Sequence, residues 1–141
     1  MKNQINVINR KAKFEYEFID TYIAGIVLSG VEVKFIRDGR LSFVDSFCTF
    51  QNGELFVKNL SISGTGNDNI KRDRKVLLKR RELVRLEKEL IKGLTIIPYR
   101  VFINEKGFIK VEIILAKGKK LYDKRETIKA RDIEREIKRK S

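Results

Sequence analysis

Apolar and polar residues alternate along several short stretches of the chain, which is typical of strands with one buried face. Phe14, Tyr16 and Phe18 alternate with two glutamates and predict one strand, and the apolar residues 23–28 predict a second, with Gly25 at a bend or a close packing contact. Residues 94–103 and 108–115 predict a hairpin joined by residues 104–107. Pro98 is expected at an edge or a bulge, because proline cannot donate to a ladder.

Turn residues divide these segments. Asn52-Gly53 stands between the apolar residues 47–50 and 55–57, and this dipeptide tolerates the positive φ angles of a two-residue hairpin turn. Residues 61–69 are rich in Ser, Gly, Asn and Asp and predict a flexible loop. Several antiparallel strands joined by short turns favour a small closed barrel of the OB type.

The spacing of apolar residues becomes that of a helix in residues 79–92. Leu83, Leu86 and Leu90 form an apolar stripe, Gly93 is a typical residue just beyond a helix end, and a second face carries cations at i, i+4, i+7 and i+11, namely Arg81, Arg85, Lys88 and Lys92. Residues 30–37 fit either a strand or a short helix, and the pattern alone leaves that choice open.

The charge of the chain gives information about its function rather than its fold. The 141 residues carry 32 Lys/Arg and 19 Asp/Glu, a formal net charge of +13. Residues 71–92 hold 10 basic and 4 acidic residues, and residues 117–141 hold 11 and 5, so these two segments supply 12 of the 13 surplus charges. A small protein with so much positive charge is expected to bind a polyanion, and exposed aromatic and amide side chains favour RNA.

This distribution predicts three parts. Residues 1–8 are expected to be a flexible N-terminal arm, residues 9–116 an RNA-binding barrel with helices, and residues 117–141 a basic C-terminal tail that is disordered when free. Gly118 is expected to act as the joint between barrel and tail.

Several classes of chemistry have little support in the residues. The chain has no histidine, and Gly64-Thr65-Gly66 lacks the Lys-Ser/Thr of a phosphate loop. The single cysteine, Cys48, is expected to be a buried core thiol in a reducing compartment, and the absence of a long apolar run or secretory signal favours the cytoplasm. Asp20, Glu32 and Asp45 would be the candidate ligands of a magnesium-dependent nuclease, a minor alternative.

Eight blocks of residues, in order, resemble the SsrA-binding protein family, also called small protein B, over residues 9–136. They include Ala24-Gly25-Ile26 and Glu32-Val33-Lys34. The most specific is Leu115-Ala116-Lys117-Gly118-Lys119-Lys120 with Asp123-Lys124-Arg125, followed by Arg131-Asp132 and Arg135-Glu136. The chain departs from the family pattern in having Asn67-Asp68-Asn69-Ile70 in place of a longer loop, Asp73 in place of a common proline and Ile133 where an aromatic residue is common.

The resemblance implies a six-stranded OB-like barrel with about three helices, no enzymatic activity and no cofactor. It implies a role in ribosome rescue by trans-translation: the barrel binds the tRNA-like domain of transfer-messenger RNA, and the tail enters the empty mRNA channel at the decoding centre of a stalled ribosome. Elongation factor Tu with GTP would be part of the same complex, peptide tagging would follow, and the protein would act as a monomer without contacting a membrane. It also favours a short helix at residues 30–39.

The resemblance, together with the basic patches, places the sites at two sets of residues. RNA contacts are expected at Asn9, Arg10, Lys11, Glu32, Lys34, Arg37, Lys71, Arg72, Arg74, Lys75, Arg81, Lys117, Lys119 and Lys120. Ribosomal contacts of the tail are expected at Gly118, Tyr122, Asp123, Lys124, Arg125, Lys129, Arg131 and Arg135. Since phosphates repel a carboxylate, Glu32 is expected to accept a hydrogen bond from a base amino group. A constitutive ribosomal protein that binds rRNA is the main alternative.

Overall fold

The structure, a computed structural model that describes residues 5–63 and 69–119, contains strands and three helices in the following order within those residues. They are β1 (Asn6–Ile8), α1 (Ala12–Glu15), β2 (Tyr16–Ile26), α2 (Gly30–Arg37), β3 (Leu41–Ser42), β4 (Phe47–Gln51), β5 (Glu54–Lys58), β6 (Ser61–Ser63), β7 (Asn69–Lys71), β8 (Arg74–Leu77), α3 (Arg80–Ile91), β9 (Thr95–Ile103) and β10 (Ile109–Gly118).

Six antiparallel strands form a ring in the order β9-β10-β2-β8-β5-β4, and β4 returns to β9 through the pair Cys48–Ile96. The prediction of an OB-like barrel of about six strands is therefore confirmed, with a seam between β4 and β9 that is one residue pair wide. Strand β1 pairs with the C-terminal half of β9, and β3, β6 and β7 form a small separate sheet.

The core fills the inside of the ring. Along β10, Val111, Ile113 and Leu115 are buried and point inward, as expected for a strand with a period of two. Helix α2 adds the buried Ile36 and α3 the buried Leu86, so both helices pack onto the same core. The expectation that Cys48 is a buried core thiol is confirmed, and burial raises the pKa of the thiol.

Local turn chemistry explains the hairpins. Asn52 and Gly53 have φ angles of 53° and 78° between β4 and β5, as the dipeptide predicts. In the β9–β10 turn, the side-chain Oδ1 of Asn104 accepts hydrogen bonds from the backbone N–H groups of Lys106 and Phe108. Pro98 lies at a register shift between β9 and β10, which confirms that it occupies a bulge.

The two longer helices have clear ends. Residues 30–37 are helical, which decides the open choice: the Ser29 hydroxyl accepts a hydrogen bond from the Glu32 N–H, and the Glu32 carboxylate accepts one from the Ser29 N–H. Helix α3 lies within the predicted 79–92, and Gly93, with φ of 98°, follows it.

The start of the chain differs from the prediction in two ways. Residues Asn6–Ile8 belong to β1 and pair with β9, so the predicted flexible arm of residues 1–8 is wrong for this part. Phe14 lies in α1 rather than in a strand. This single helical turn allows Ala12 to pack, buried, against Ile97 and Ile114. A turn this short has no detectable periodicity.

Three further boundaries are corrected. The two strands predicted around residues 14–18 and 23–28 are one continuous strand, β2, and of the two options for Gly25 the close packing contact is confirmed, since the residue packs closely on Leu77. Part of the predicted loop 61–69 forms the β6–β7 hairpin ladder. Strand β10 continues through Gly118, which pairs with Tyr16, so the barrel ends two residues later than predicted and Gly118 is a strand residue rather than a joint.

Candidate nucleic-acid interface

A buried ion cluster joins α2 to the start of β8. Both carboxylate oxygens of Glu32 are occupied: Oε1 accepts hydrogen bonds from the Ser29 N–H, at 2.8 Å, and from Arg72 Nη2, and Oε2 accepts one from Arg74 Nε. The Glu32 side chain is fully buried, and so is that of Arg74. The cluster therefore pins the first turn of α2 to the segment that carries Arg72 and Arg74.

Arg74 also links the cluster to backbone carbonyl groups. Its Nη1 donates to the carbonyl oxygens of Leu60, at 2.6 Å, and Arg72, at 2.9 Å. Burial alone would raise the pKa of Glu32, but the hydrogen bonds from Ser29, Arg72 and Arg74 outweigh it and the pKa is lowered. Burial lowers the pKa of Arg74, and the Glu32 carboxylate opposes that shift.

Two predicted RNA contacts are contradicted by this geometry. Glu32 has no exposed surface and no oxygen to offer a base amino group, and Arg74 has no exposed surface for a phosphate. From sequence alone both are expected at the surface, because the partners that bury them lie far along the chain. Ser29-x-x-Glu32 matches a capping box, and that signal identifies Glu32 as a helix-terminus residue.

Around this buried cluster the surface is cationic. Lys34 and Arg37 are exposed on α2, and the Arg72 side chain is 44% exposed although its Nη2 contacts Glu32. Arg37 also lines a cleft of about 390 Å³ between α2, the β2–β8 pair and the β9–β10 turn. The described residues that line this cleft are Gly25, Ile26, Leu28, Val33, Arg37, Leu77, Gly107, Phe108, Ile109 and Lys110, with no carboxylate among them.

The cleft combines exposed apolar surface with positive charge. Phe108 is 61% exposed and Leu77 is 52% exposed, and Arg37 and Lys110 supply the cations. A nucleotide has the matching chemistry, since its base offers flat apolar faces and its phosphate a negative charge. Leu77, Phe108 and Lys110 are not predicted as site residues, because the alternation of polar and apolar residues assigns them to strands without showing that their exposed sides meet.

A second group of predicted residues lies at the other end of the β9–β10 hairpin. Asn9, Arg10 and Lys11 line a wider cavity of about 650 Å³, next to α1. Asn9 is partly committed to the fold, since its Nδ2 donates to the Pro98 carbonyl oxygen at 3.1 Å. Lys117 is exposed opposite Glu17. The Nζ of Lys119 donates to the Lys13 carbonyl oxygen at 3.1 Å.

The predicted RNA-binding residues are therefore split between two ends of the barrel. Lys110 pairs with Gly25 beside the α2 cleft, and Gly118 pairs with Tyr16 beside α1. Eight strand residues at about 3.3 Å each separate the two ends by roughly 26 Å. The surface of Lys34, Arg37 and Arg72 is hereafter the α2 face, and the surface of Arg10, Lys11, Lys117 and Lys119 the α1 face.

Lys75 and Arg81 are not among the residues that line either of the two cavities. Lys75 on β8 pairs with Glu54 of β5, with its Nζ 2.8 Å from Oε1. Arg81 is exposed on α3, where Arg85 forms an ion pair of 2.7 Å with Asp20. Lys71 lies in β7. The remaining predicted residues lie outside the described residues: Lys120, Tyr122, Asp123, Lys124, Arg125, Lys129, Arg131 and Arg135.

The three carboxylates of the nuclease alternative lie in unrelated surroundings. Asp20 contacts Arg85, Glu32 is enclosed by arginines, and Asp45 follows β3 on a loop. Within residues 5–63 and 69–119, no three His, Cys, Asp or Glu side chains are grouped as metal ligands. The proposed magnesium set of Asp20, Glu32 and Asp45 is therefore wrong. The described helices are too short and too polar to cross a membrane.

Comparison with known proteins gives the family. The sequence model described as SmpB protein matches residues 6–141. The chain belongs to the SmpB family. Its relatives include the SsrA-binding proteins of Christiangramia forsetii, 56% identical over 99% of this chain and 92% of the relative, and of Thermosipho africanus, 48% identical over 92% and 91%.

A solved structure is similar over most of the chain. It matches with a TM-score of 0.67 and 41% identity over 85% of this chain and 87% of that one, and it is described as tmRNA-SmpB on a journey to the centre of the bacterial ribosome. The resemblance noted in the sequence is thus confirmed, and with it the expectation that SmpB family members are RNA-binding proteins and not enzymes.

Proposed function

We propose that this protein binds the tRNA-like domain of transfer-messenger RNA and delivers it to the A site of stalled ribosomes in trans-translation. The family supports this function, since the relatives are named for binding SsrA RNA and the similar structure is described with tmRNA and the ribosome. The protein acts in the cytoplasm as a monomer, and elongation factor Tu with GTP belongs to the same complex.

The separation of the two cationic faces carries the proposal. The α2 face and its cleft offer exposed phenyl and leucine side chains beside cations, which suits the unpaired bases of a folded RNA. The α1 face lies at the other end of β10, where the described chain ends at Lys119. One RNA can therefore occupy the α2 face while residues 120–141, rich in Lys and Arg, occupy the mRNA channel.

The decisive experiment compares RNA ligands and truncated protein. Full-length protein should bind the tRNA-like domain of transfer-messenger RNA more tightly than an RNA duplex of equal length, as measured by fluorescence anisotropy. Protein ending at Lys119 should keep most of this affinity but fail to support peptide tagging in a reconstituted translation system with stalled ribosomes. Equal affinity for both RNAs, or full tagging by the truncated protein, would contradict the proposal.

A further inference from the structure

Arg72 is the one member of the buried ion cluster that reaches the surface. Its Nη2 donates to Glu32 and its Nη1 to the Asp73 carbonyl oxygen, at 3.3 Å, while 44% of its side chain is exposed. A guanidinium has five N–H donors, so these two contacts leave donors for a further acceptor. The Arg72 side chain is thus fixed in position and still has N–H donors for a ligand.

The residue that holds Arg72 is itself fixed. Glu32 is bound by the Ser29 N–H at the start of α2 and by Arg74, and Arg74 is bound by the carbonyl oxygen of Leu60. Every one of these contacts is buried or partly buried, so the carboxylate is held from several sides. An arginine side chain loses rotamer entropy when it is immobilised, and here that loss occurs on folding, before any ligand binds.

We propose that Glu32 is a positioning residue for RNA binding: it does not touch RNA, and it holds the Arg72 guanidinium on the α2 face in the orientation that binds a backbone phosphate. This inference rests on the proposed function. The recognised group is the phosphate, because a fixed guanidinium fork matches two phosphate oxygens, and Lys34 and Arg37 are further exposed cations on the helix that carries Glu32.

The sign of the effect separates this role from simple electrostatics. If Glu32 acted only through its charge, its removal would take an anion away from the RNA surface and strengthen binding. If Glu32 contacted a base directly, its loss and the loss of Arg72 would act independently and their effects would multiply. If Glu32 positions Arg72, its loss weakens binding, and it has little further effect once Arg72 is absent.

The test is a double-mutant cycle on affinity for the tRNA-like domain, with Glu32→Gln, Arg72→Ala and the double variant in the full-length protein. A charge-assisted hydrogen bond contributes about 1.5–3 kcal/mol, so Arg72→Ala should weaken binding roughly 10- to 150-fold. We expect Glu32→Gln to weaken binding by a similar factor and the double variant to resemble Arg72→Ala. Binding by Glu32→Gln that equals or exceeds wild type, or a double loss equal to the product of the single losses, would overturn the inference.

A second variant keeps the test independent of folding. Arg72→Lys retains the positive charge but replaces the planar fork with a single ammonium group. It should weaken binding if orientation matters, and wild-type affinity for this variant would also overturn the inference. Far-UV circular dichroism identifies any variant that has lost its fold. If Glu32→Gln is such a variant, the affinity of Arg72→Lys decides whether the orientation of the Arg72 guanidinium matters for RNA binding. Failure of wild type to prefer the tRNA-like domain would instead refute the proposed function.

Discussion

The backbone N–H of Lys119 donates a hydrogen bond of 3.0 Å to the carbonyl oxygen of Glu15, so the end of β10 is tied to the end of α1. At the other end of the same strand Lys110 pairs with Gly25, beside the α2 cleft. This long strand therefore places Lys119, the last described residue, at the opposite end from the α2 cleft. The division of labour in the proposed function follows from that separation.

The position at which the chain is truncated should determine its stability. Protein that ends at Lys119 keeps the whole β2–β10 ladder, and its free energy of unfolding should stay within about 0.5 kcal/mol of the full-length value. Protein that ends at Ala116 loses the pairs of Lys117 and Gly118 and the Lys119–Glu15 bond. At about 0.5–1.5 kcal/mol for each backbone hydrogen bond, it should lose roughly 1–4 kcal/mol. Urea unfolding measures both, and equal stability would show that these pairs contribute nothing.

Helix α3 offers a matched pair of core and surface variants. Leu86 is fully buried in the barrel core, whereas Val84, two residues earlier, is 41% exposed. Leu86→Ala should lower the free energy of unfolding by about 2–5 kcal/mol, because it removes buried methyl groups and leaves a cavity. Val84→Ala should change it by no more than about 0.5 kcal/mol. Similar losses in chemical denaturation would mean that α3 does not pack as described.

The parts of the fold that were predictable depend on neighbours in sequence. Asn52-Gly53 encodes its own turn, and the alternation of Val111, Ile113 and Leu115 identifies the buried side of β10. Helix α3 is long enough for its leucines to recur at the helical spacing, so it too could be predicted. By contrast, α1 has four residues, and its formation depends on Ala12 packing against distant strands.

The candidate interface was less predictable, because its residues are distant in the sequence and come together only when the chain folds. Glu32 is 40 residues from Arg72 and 42 from Arg74, so the single sequence shows three charged residues but not that they enclose one another. The cleft likewise joins Leu77 to Phe108 from separate strands. Charge counting correctly located a basic segment, yet it gave no means of separating the buried Arg74 from the exposed Arg72.

The buried ion cluster should make stability depend on pH in the acid range. The pKa of Glu32 in the folded state lies below its ordinary value of 4.5, so the ionised carboxylate contributes stability above that value and loses it as the pH falls through the folded-state pKa. Glu32→Gln should cost about 3–5 kcal/mol at neutral pH, since Arg74 is left buried without its partner.

The difference in unfolding free energy between wild type and Glu32→Gln should therefore shrink as the pH falls below 4.5. Urea titrations of both proteins between about pH 7 and pH 3 provide the measurement, and the subtraction removes the effect of the other carboxylates. A difference that stays constant across this range would mean that Glu32 keeps its ordinary pKa in the folded protein.

Salt dependence should reveal the phosphate contacts of the α2 face. Each phosphate contact releases counterions and contributes about 0.7–0.9 to the slope of log affinity against log salt. Lys34→Ala and Arg37→Ala should each reduce that slope by about this amount for the tRNA-like domain. Lys92→Ala is the control, since Lys92 lies at the far end of α3 and pairs with Glu89. An equal reduction by all three variants would indicate that affinity follows net charge rather than a defined face.

Phe108 should account for a large part of the affinity through one stacked base. Its phenyl ring is 61% exposed at the cleft, so Phe108→Ala should leave the free energy of unfolding within about 0.5 kcal/mol of wild type. Loss of base stacking costs about 1–3 kcal/mol, and affinity for the tRNA-like domain should fall roughly 5- to 150-fold. Phe108→Tyr keeps an aromatic face and should bind nearly as well as wild type.

Ile91→Ala is the matched control for this prediction. Ile91 is 81% exposed, and it lies on α3 outside the residues that line the cleft. If exposed apolar area alone favoured RNA, Ile91→Ala would weaken binding as much as Phe108→Ala does. If the cleft holds a base, the aromatic variant keeps affinity, the alanine variant loses it, and the α3 variant is unaffected. Fluorescence anisotropy with the same RNA distinguishes these results, and unchanged binding by Phe108→Ala would remove the cleft from the interface.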